Sequence, residues 1–567
     1  MKYLAWFGGI LIVPILGIYL LAFTSFGNSL LKPTIESKIQ EQTKLESRLT
    51  TFSVSMSEFS IVLELDRDNI VSANGNYSLF SQAFNIAYRV DLRRLESLKA
   101  LTNAPLQGVL KTEGSVIGNL DLMTIDGKSD IAQSDTTYHV ELTELNPTSI
   151  IAKIEHADLS SLLRLGGQKS YASASLNLEV DFKDIRAHQL DGKIALDTKN
   201  GQINTALMQK DFNLTLPTTA FNMELNALLA GDDVKYEYAL NSNLAKITSS
   251  GTVVPEPLKT DIVYALDIKE LAVFKPITNA PLRGPFKTDG SVIGTKESMQ
   301  VLGKSDIGGS DTTYDVALKE FKPLQVIAKI KNAKLQKLLY MAGQENFASS
   351  DVDVDVKLTS LDPKNLAGYV DLNLDNGEVN TKVMKKSFSV NIPKTSFESK
   401  THLDLKGKEL VYKTAFNSNL AKFDSEGRVV PDTLAMDLKY ALNVKELALL
   451  KPITNADVRG AVKLDGTVKG SKEKLEVKGK SDLAGSKSAF HASLIDFKPA
   501  TIKASIEHLK LQKLLYMVKQ PHYTDGDLYV DVDISDARSE KLKGVVKSRI
   551  EKGLLDSKYL TKAYEFK

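Results

Sequence analysis

The stretch DVDVDVKL, Asp351 to Leu358, alternates without a break: Val352, Val354, Val356 and Leu358 in one register, Asp351, Asp353, Asp355 and Lys357 in the other. Successive side chains of a β-strand point to opposite faces, so this period of two predicts a strand with one apolar and one wet face. The same pattern stands 176 residues earlier, where Leu176, Leu178, Val180 and Phe182 alternate with Asn177, Glu179 and Asp181. It returns 176 residues later in Leu528, Val530, Val532 and Ile534. Tyr369 to Leu374 alternates in the same way between Gly-containing turns. The expected fold is therefore mainly β, a long antiparallel sheet of many short strands.

The spacing is not confined to strands. ITNAPLRG, Ile277 to Gly284, is nearly repeated as LTNAPLQG, Leu101 to Gly108, and as ITNADVRG, Ile453 to Gly460, so that Asn279 lies 176 residues after Asn103 and 176 before Asn455. Gly127, Gly303 and Gly479 each open a GKSD, and Asn241 and Asn417 each open NSNLAK, at the same step. Self-similarity at a fixed period predicts an array of stacked units rather than unrelated domains. The expected divisions are an anchor over 1–28, an amphipathic helix with a partial leading unit over 29–100, and repeats over 101–276, 277–452 and 453–567, the last incomplete.

Composition narrows the function classes. With 72 Lys+Arg against 70 Asp+Glu, no overall basic footprint of the kind phosphate backbones demand is present, and nucleic acid is not an expected partner. The absence of Cys removes disulfides, Cys-ligated zinc and thiol catalysis together. From Tyr3 to Phe23 runs YLAWFGGILIVPILGIYLLAF, apolar and uncharged, long enough at about 1.5 Å per residue to span a bilayer. It is read as an uncleaved single-pass anchor, since the apolar core of a signal peptide is shorter and followed by a small-residue cleavage site.

Two helical signals interrupt the β rhythm. Ser29 to Leu45 places Leu30, Ile35 and Ile39 on one face, with Pro33 near its start. Asp158 to Leu165, Lys334 to Met341 and Lys510 to Met517 each put Leu at i, i+3 and i+4, predicting one short helix per repeat. That is too little helix to cover so much sheet. The apolar face must be buried by the sheet curling on itself, by a second sheet or by an apolar ligand.

No catalytic or metal-binding constellation is read here: the chain lacks a GK[ST] phosphate loop, HExxH, a GxSxG elbow and an EF-hand loop. His156 and His508 share a repeat position with Asn332, and His139 and His491 share one with Asp315, which favours surface or turn histidines over ligands. Lys304, Ser305 and Asp306 of GKSD read as a turn in which Ser and Asp bond nearby backbone. The comb Asp351, Asp353, Asp355 reads as a solvated face rather than a calcium site. No cofactor and no enzymatic activity are expected.

LLKPTIESKIQEQTKL at Leu30 to Leu45, GNYSLF at Gly75 to Phe80, and DVDVDVKLTSLDPKNLAGYVDLNLDNGEVN at Asp351 to Asn380, behind an N-terminal span, resemble the AsmA-like and TamB-like proteins of bacterial envelopes. The near-identity of the copies and the C-terminal end depart from that family's pattern. The resemblance implies a protein of the inner membrane, N-terminus cytoplasmic and bulk periplasmic. It further implies a curved, taco-like β-groove whose apolar interior carries phospholipid acyl chains toward the outer membrane. A partner protein of the outer membrane or periplasm would meet the C-terminal edge. The groove lining would be Leu176, Leu178, Val180, Phe182, Val352, Val354, Val356, Leu358, Leu528, Val530, Val532 and Ile534. A lipid-free assembly scaffold for outer-membrane proteins is the alternative, and a repeat adhesin a more distant one.

Overall fold

In the computed structural model of the chain, the structure describes residues 23–99, 105–275, 279–537 and 541–565. The anchor expected over 3–23 lies outside these residues apart from Phe23, as do parts of the first two TNAP stretches. No helix among the described residues is long and apolar enough to cross a membrane.

Among the described residues the chain is mainly β, with thirty strands in antiparallel sheet. It divides into unit 1, Met1–Ala280 with Ile293–Thr295, and unit 2, Pro281–Val292 with Lys296–Lys567. Within each unit the topology is a plain meander, every strand pairing with its neighbour in sequence: Glu58–Leu65 with Asn69–Tyr77 in unit 1, Lys322–Lys334 with Ala348–Ser360 in unit 2. Strands run from seven to thirteen residues, longer than the sequence suggested, with Ala172–Asp184, Ala348–Ser360 and Thr524–Asp536 among the longest. Their bounds step by 176, as do those of the strands before them, Asn146–Asp158, Lys322–Lys334 and Lys498–Lys510.

A meander sends alternate links to opposite edges of the sheet, and here the two edges differ. One, the hairpin rim, is closed by tight turns such as Glu320–Phe321 and Asp496–Phe497, whose residues all have positive φ near 50–60°. The other, the helical rim, carries the short helices. The first helix, α1 (Ser25–Thr43), precedes the sheet, capped by Thr24, whose side chain accepts from Gly27 N. It begins four residues before the expected start, holds Pro33 in its interior, and leaves Leu30 exposed. The half-buried face is instead Leu31, Ile35 and Ile39, and Glu36 Oε1 accepts the Leu49 N–H at 2.7 Å, fixing the helix to the first strand.

On the helical rim of unit 1 lie α2 (Leu159–Leu165) and α3 (Thr205–Phe212); unit 2 has α4 (Leu335–Met341), α5 (Thr381–Phe388), α6 (Leu511–Met517) and α7 (Ser557–Tyr564). The Leu-rich α2, α4 and α6 occupy the predicted segments. The expectation of one helix per repeat is corrected to two, because α3, α5 and α7 follow 46 residues behind them. Each of these begins at a side-chain cap: Asn204 accepts from Leu207 N, Asn380 from Val383 N and Asp556 from Tyr559 N.

Fully buried apolar side chains lie mainly at the strand ends: Met123, Met299 and Leu475 at the hairpin rim, and most of the others under the helical rim. In unit 1 the latter form two clusters, Leu45 with Leu92, Leu95 and Leu98, and Ala132 with Ala157 and Leu176; in unit 2, Ala484 gathers with Leu509 and Met517. The centre of the sheet has no such core.

Candidate functional site

Register places the predicted lining residues in continuous rows. Val180 stands between Ala152 and Ile194, and Leu178 between Ile154 and Leu196. The row through Val180 continues across unit 1 as Ile61, Ala73, Tyr88, Gly114, Gly127, Tyr138 and Ala152 on one side. In unit 2, Val354 stands between Ile330 and Leu372, Val356 between Ala328 and Val370, and Val532 between Ala504 and Val546. The chain thus aligns its apolar side chains on one face of each unit, strand after strand.

That face is shielded but not closed. Ile150 and Ile151 are neighbours of one type on opposite faces; Ile150 on the apolar face is half-buried, Ile151 on the other is 47% exposed. Val116 beside Ile117 and Val301 beside Leu302 show the same contrast. A sheet covered by a second layer about 10 Å away would drive such residues to near-complete burial. Here Leu178, Val180, Phe182, Val354, Val356, Leu358, Val530, Val532 and Ile534 are all half-buried. Leu176 and Val352 differ: at 6% and 2% exposure they sit at the helical-rim end of the face, Leu176 in the cluster packed by Leu159 and Leu162 of α2. Leu528 likewise packs against the Ala484 cluster.

The rows also contain a feature that sequence reasoning missed. Gly127 pairs with Tyr138, Gly303 with Tyr314 and Gly479 with Phe490. A Cβ at any of these glycines would fall well inside contact distance of the facing ring, so the glycines let an aromatic ring lie flat on the sheet. In unit 1 the Tyr138 hydroxyl also bonds the Tyr88 hydroxyl and Thr112 Oγ1. Burial first, then the bond to Tyr138, push the Tyr88 phenol far above its ordinary value. The available signal was the constant eleven-residue spacing of Gly and aromatic, which becomes informative only once register is known. Hydroxyl pairs recur elsewhere on the face, Tyr236 with Ser249 and Tyr412 with Ser425.

The remaining motifs resolve as structure. Asp130, Asp306 and Asp482 of GKSD accept the N–H of Lys111, Lys287 and Lys463, while Ser129, Ser305 and Ser481 accept from Ile131, Ile307 and Leu483 N. His156, Asn332 and His508 all have φ of 55–59°, a left-handed position that Asn and His tolerate, which accounts for their interchange. His139 is held by Asp126 at 2.7 Å, and the hydrogen bond to Asp126 raises its pKa. The aspartate comb is individually engaged: Asp351 by Lys334 and Asn376, Asp353 by the Asn332 N–H, and Asp355 by Lys329 at 3.9 Å. An open depression of about 750 Å³ in unit 1 lies over the charged face, bordered by Glu113, Asp126, Lys128 and Lys153, and gives no apolar enclosure.

No family model, curated protein or solved structure matches the chain.

Proposed function

We propose that the apolar face of each unit is a lipid-binding groove, built of 176-residue repeats, that holds phospholipid acyl chains and takes part in their transfer across a bacterial envelope. In this reading residues 3–23 anchor the chain in the inner membrane and the sheet lies in the periplasm. The observation that carries the proposal is the state of the face itself: rows of Val, Leu, Ile and Tyr continue across neighbouring strands yet stay mostly half-buried, the fully buried side chains lying mainly at the strand ends, Leu176 and Val352 at the helical rim and Met123, Met299 and Leu475 at the hairpin rim. Each methylene moved from water onto such a surface contributes about 0.8 kcal/mol, so a multi-carbon chain is held without a single specific polar contact. Movement along the rows needs no catalytic group, and residues with acid–base or nucleophilic potential in the motifs above are already bonded to backbone or to each other.

The test is binding of a fluorescent phospholipid to the full chain in detergent. Val354→Asp puts a charge between Ile330 and Leu372 in mid-face, and is expected to lower binding about tenfold or more. Val354→Ala, which keeps the face apolar, is expected to change it little. Equal binding by wild type and Val354→Asp, with both folded by circular dichroism, would sink the groove and favour the lipid-free scaffold.

A further inference from the structure

The helical rim of unit 2 differs in charge from the hairpin rim opposite. Of its helices, the one-turn Lys451–Thr454 pairs its lysine with Asp457 at 2.7 Å, whereas the four longer ones carry Lys337 on α4, Lys382, Lys385 and Lys386 on α5, Lys513 on α6, and Lys558 and Lys562 on α7, and no Asp or Glu. The lysines of these four are all exposed, and none is in an ion pair among the described residues. The hairpin rim of the same unit carries carboxylates beside its lysines, and two such pairs close: Lys408 reaches Asp432 at 3.4 Å and Lys472 reaches Asp496 at 3.9 Å across adjacent hairpins. Near the helices Asp556 caps α7, Glu345 accepts from Ser387, and Asp457 holds Lys519.

Interleaved with the unmatched lysines are exposed aromatic rings: Phe388 at 51%, Tyr340 at 47% and Tyr516 at 51%. Arg283 and Arg459 stack over the two tyrosines at 4.3 and 3.9 Å and add cationic charge at the same places. Cations with aromatic rings on short amphipathic helices are the chemistry of a lipid headgroup region, where rings enter the interface and ammonium groups meet phosphate. The balanced charge of the whole chain, +2, argues against a nucleic-acid surface, which needs a broader basic field.

We propose that the helical rim of unit 2 docks on the surface of a bilayer containing anionic phospholipid. The surface stands independently of the groove: a chain that holds no acyl chains still presents these helices.

The chain contains no Cys, so a single one can be placed and labelled with an environment-sensitive dye in the full protein. Gln512→Cys on α6 and Thr561→Cys on α7 report the helical rim, and Thr433→Cys reports a hairpin of the opposite rim. The labelled chains are reconstituted into vesicles of phosphatidylcholine alone or with about one third phosphatidylglycerol. The expected result is a blue shift at 512 and 561 only with phosphatidylglycerol, none at 433, and its loss in 1 M salt, where the screening length is about 3 Å. Changing Lys382, Lys385, Lys386, Lys558 and Lys562 to Gln should abolish the shift, and the same positions as Arg should restore it. The proposal is overturned by equal response in both lipids, by an equal shift at 433, or by a shift with single-stranded DNA or heparin and none with phosphatidylglycerol. Loss of lipid from the groove variant with an intact rim response would separate the two proposals.

Discussion

At the scale of single residues, the polar groups that matter most to the fold are those that end strands. Asn69 is fully buried at the helical rim; its Oδ1 accepts the Arg94 N–H at 3.1 Å and its amide donates to Ser97 Oγ at 2.8 Å. Asn69→Ala leaves the Arg94 N–H unsatisfied, at a cost of about 1–3 kcal/mol, and faster amide exchange at Arg94 and Leu95 is the expected readout. Gly127→Val forces the Tyr138 ring off the sheet and should destabilise by about 1–3 kcal/mol, read as a lowered thermal midpoint, whereas Tyr138→Phe keeps the stack and loses only the hydroxyl links. His402 lies between Asp371 at 2.6 Å and Asp404 at 3.3 Å, and the hydrogen bond to Asp371 leads in raising its pKa above the ordinary 6.5. A folded value above the unfolded one stabilises most below pH 6.5 and loses that contribution as pH rises through the folded value. His402→Ala should therefore cost stability at pH 5.5, less than about 1 kcal/mol for so exposed a pair, and nothing at pH 9; a cost that grows with pH would contradict the assignment.

At the scale of elements, strands declared themselves because a period of two survives degenerate sequence: Val352, Val354 and Val356 specify strand and face together. The Leu triplets of α2, α4 and α6 were equally legible. Helices α3, α5 and α7 were not, since TALMQKDF, TKVMKKSF and SKYLTKAY present no leucine stripe; the signal lay outside them, in the caps Asn204, Asn380 and Asp556. Asn380→Ala is expected to fray α5 at about 1 kcal/mol, seen as faster exchange at Val383 while the flanking strand Ala367–Val379 keeps its protection. The Gly–aromatic pairs escaped because eleven residues separate partners that only a hairpin register brings together. The lining residues were legible as a face, but not the distinction between Leu176 and Val352 at the helical rim and Val180 and Val354 in the open centre, since that depends on where neighbouring helices land.

At the scale of the molecule, a meander with a half-buried apolar face needs something to occupy that face or must tolerate it wet. In the proposed reading acyl chains occupy the apolar rows, and the helical rim of unit 2 gives a separate reason to sit at a lipid surface. The most direct measurement is native mass spectrometry with lipid extraction on the full chain, wild type beside Val354→Asp and Val530→Asp. The account predicts more than one phospholipid per wild-type chain and a fall in that number with each substitution, additive in the double variant because the two positions occupy different strands far apart in the meander. A wild-type chain that is folded and carries no more phospholipid than the two variants would contradict it.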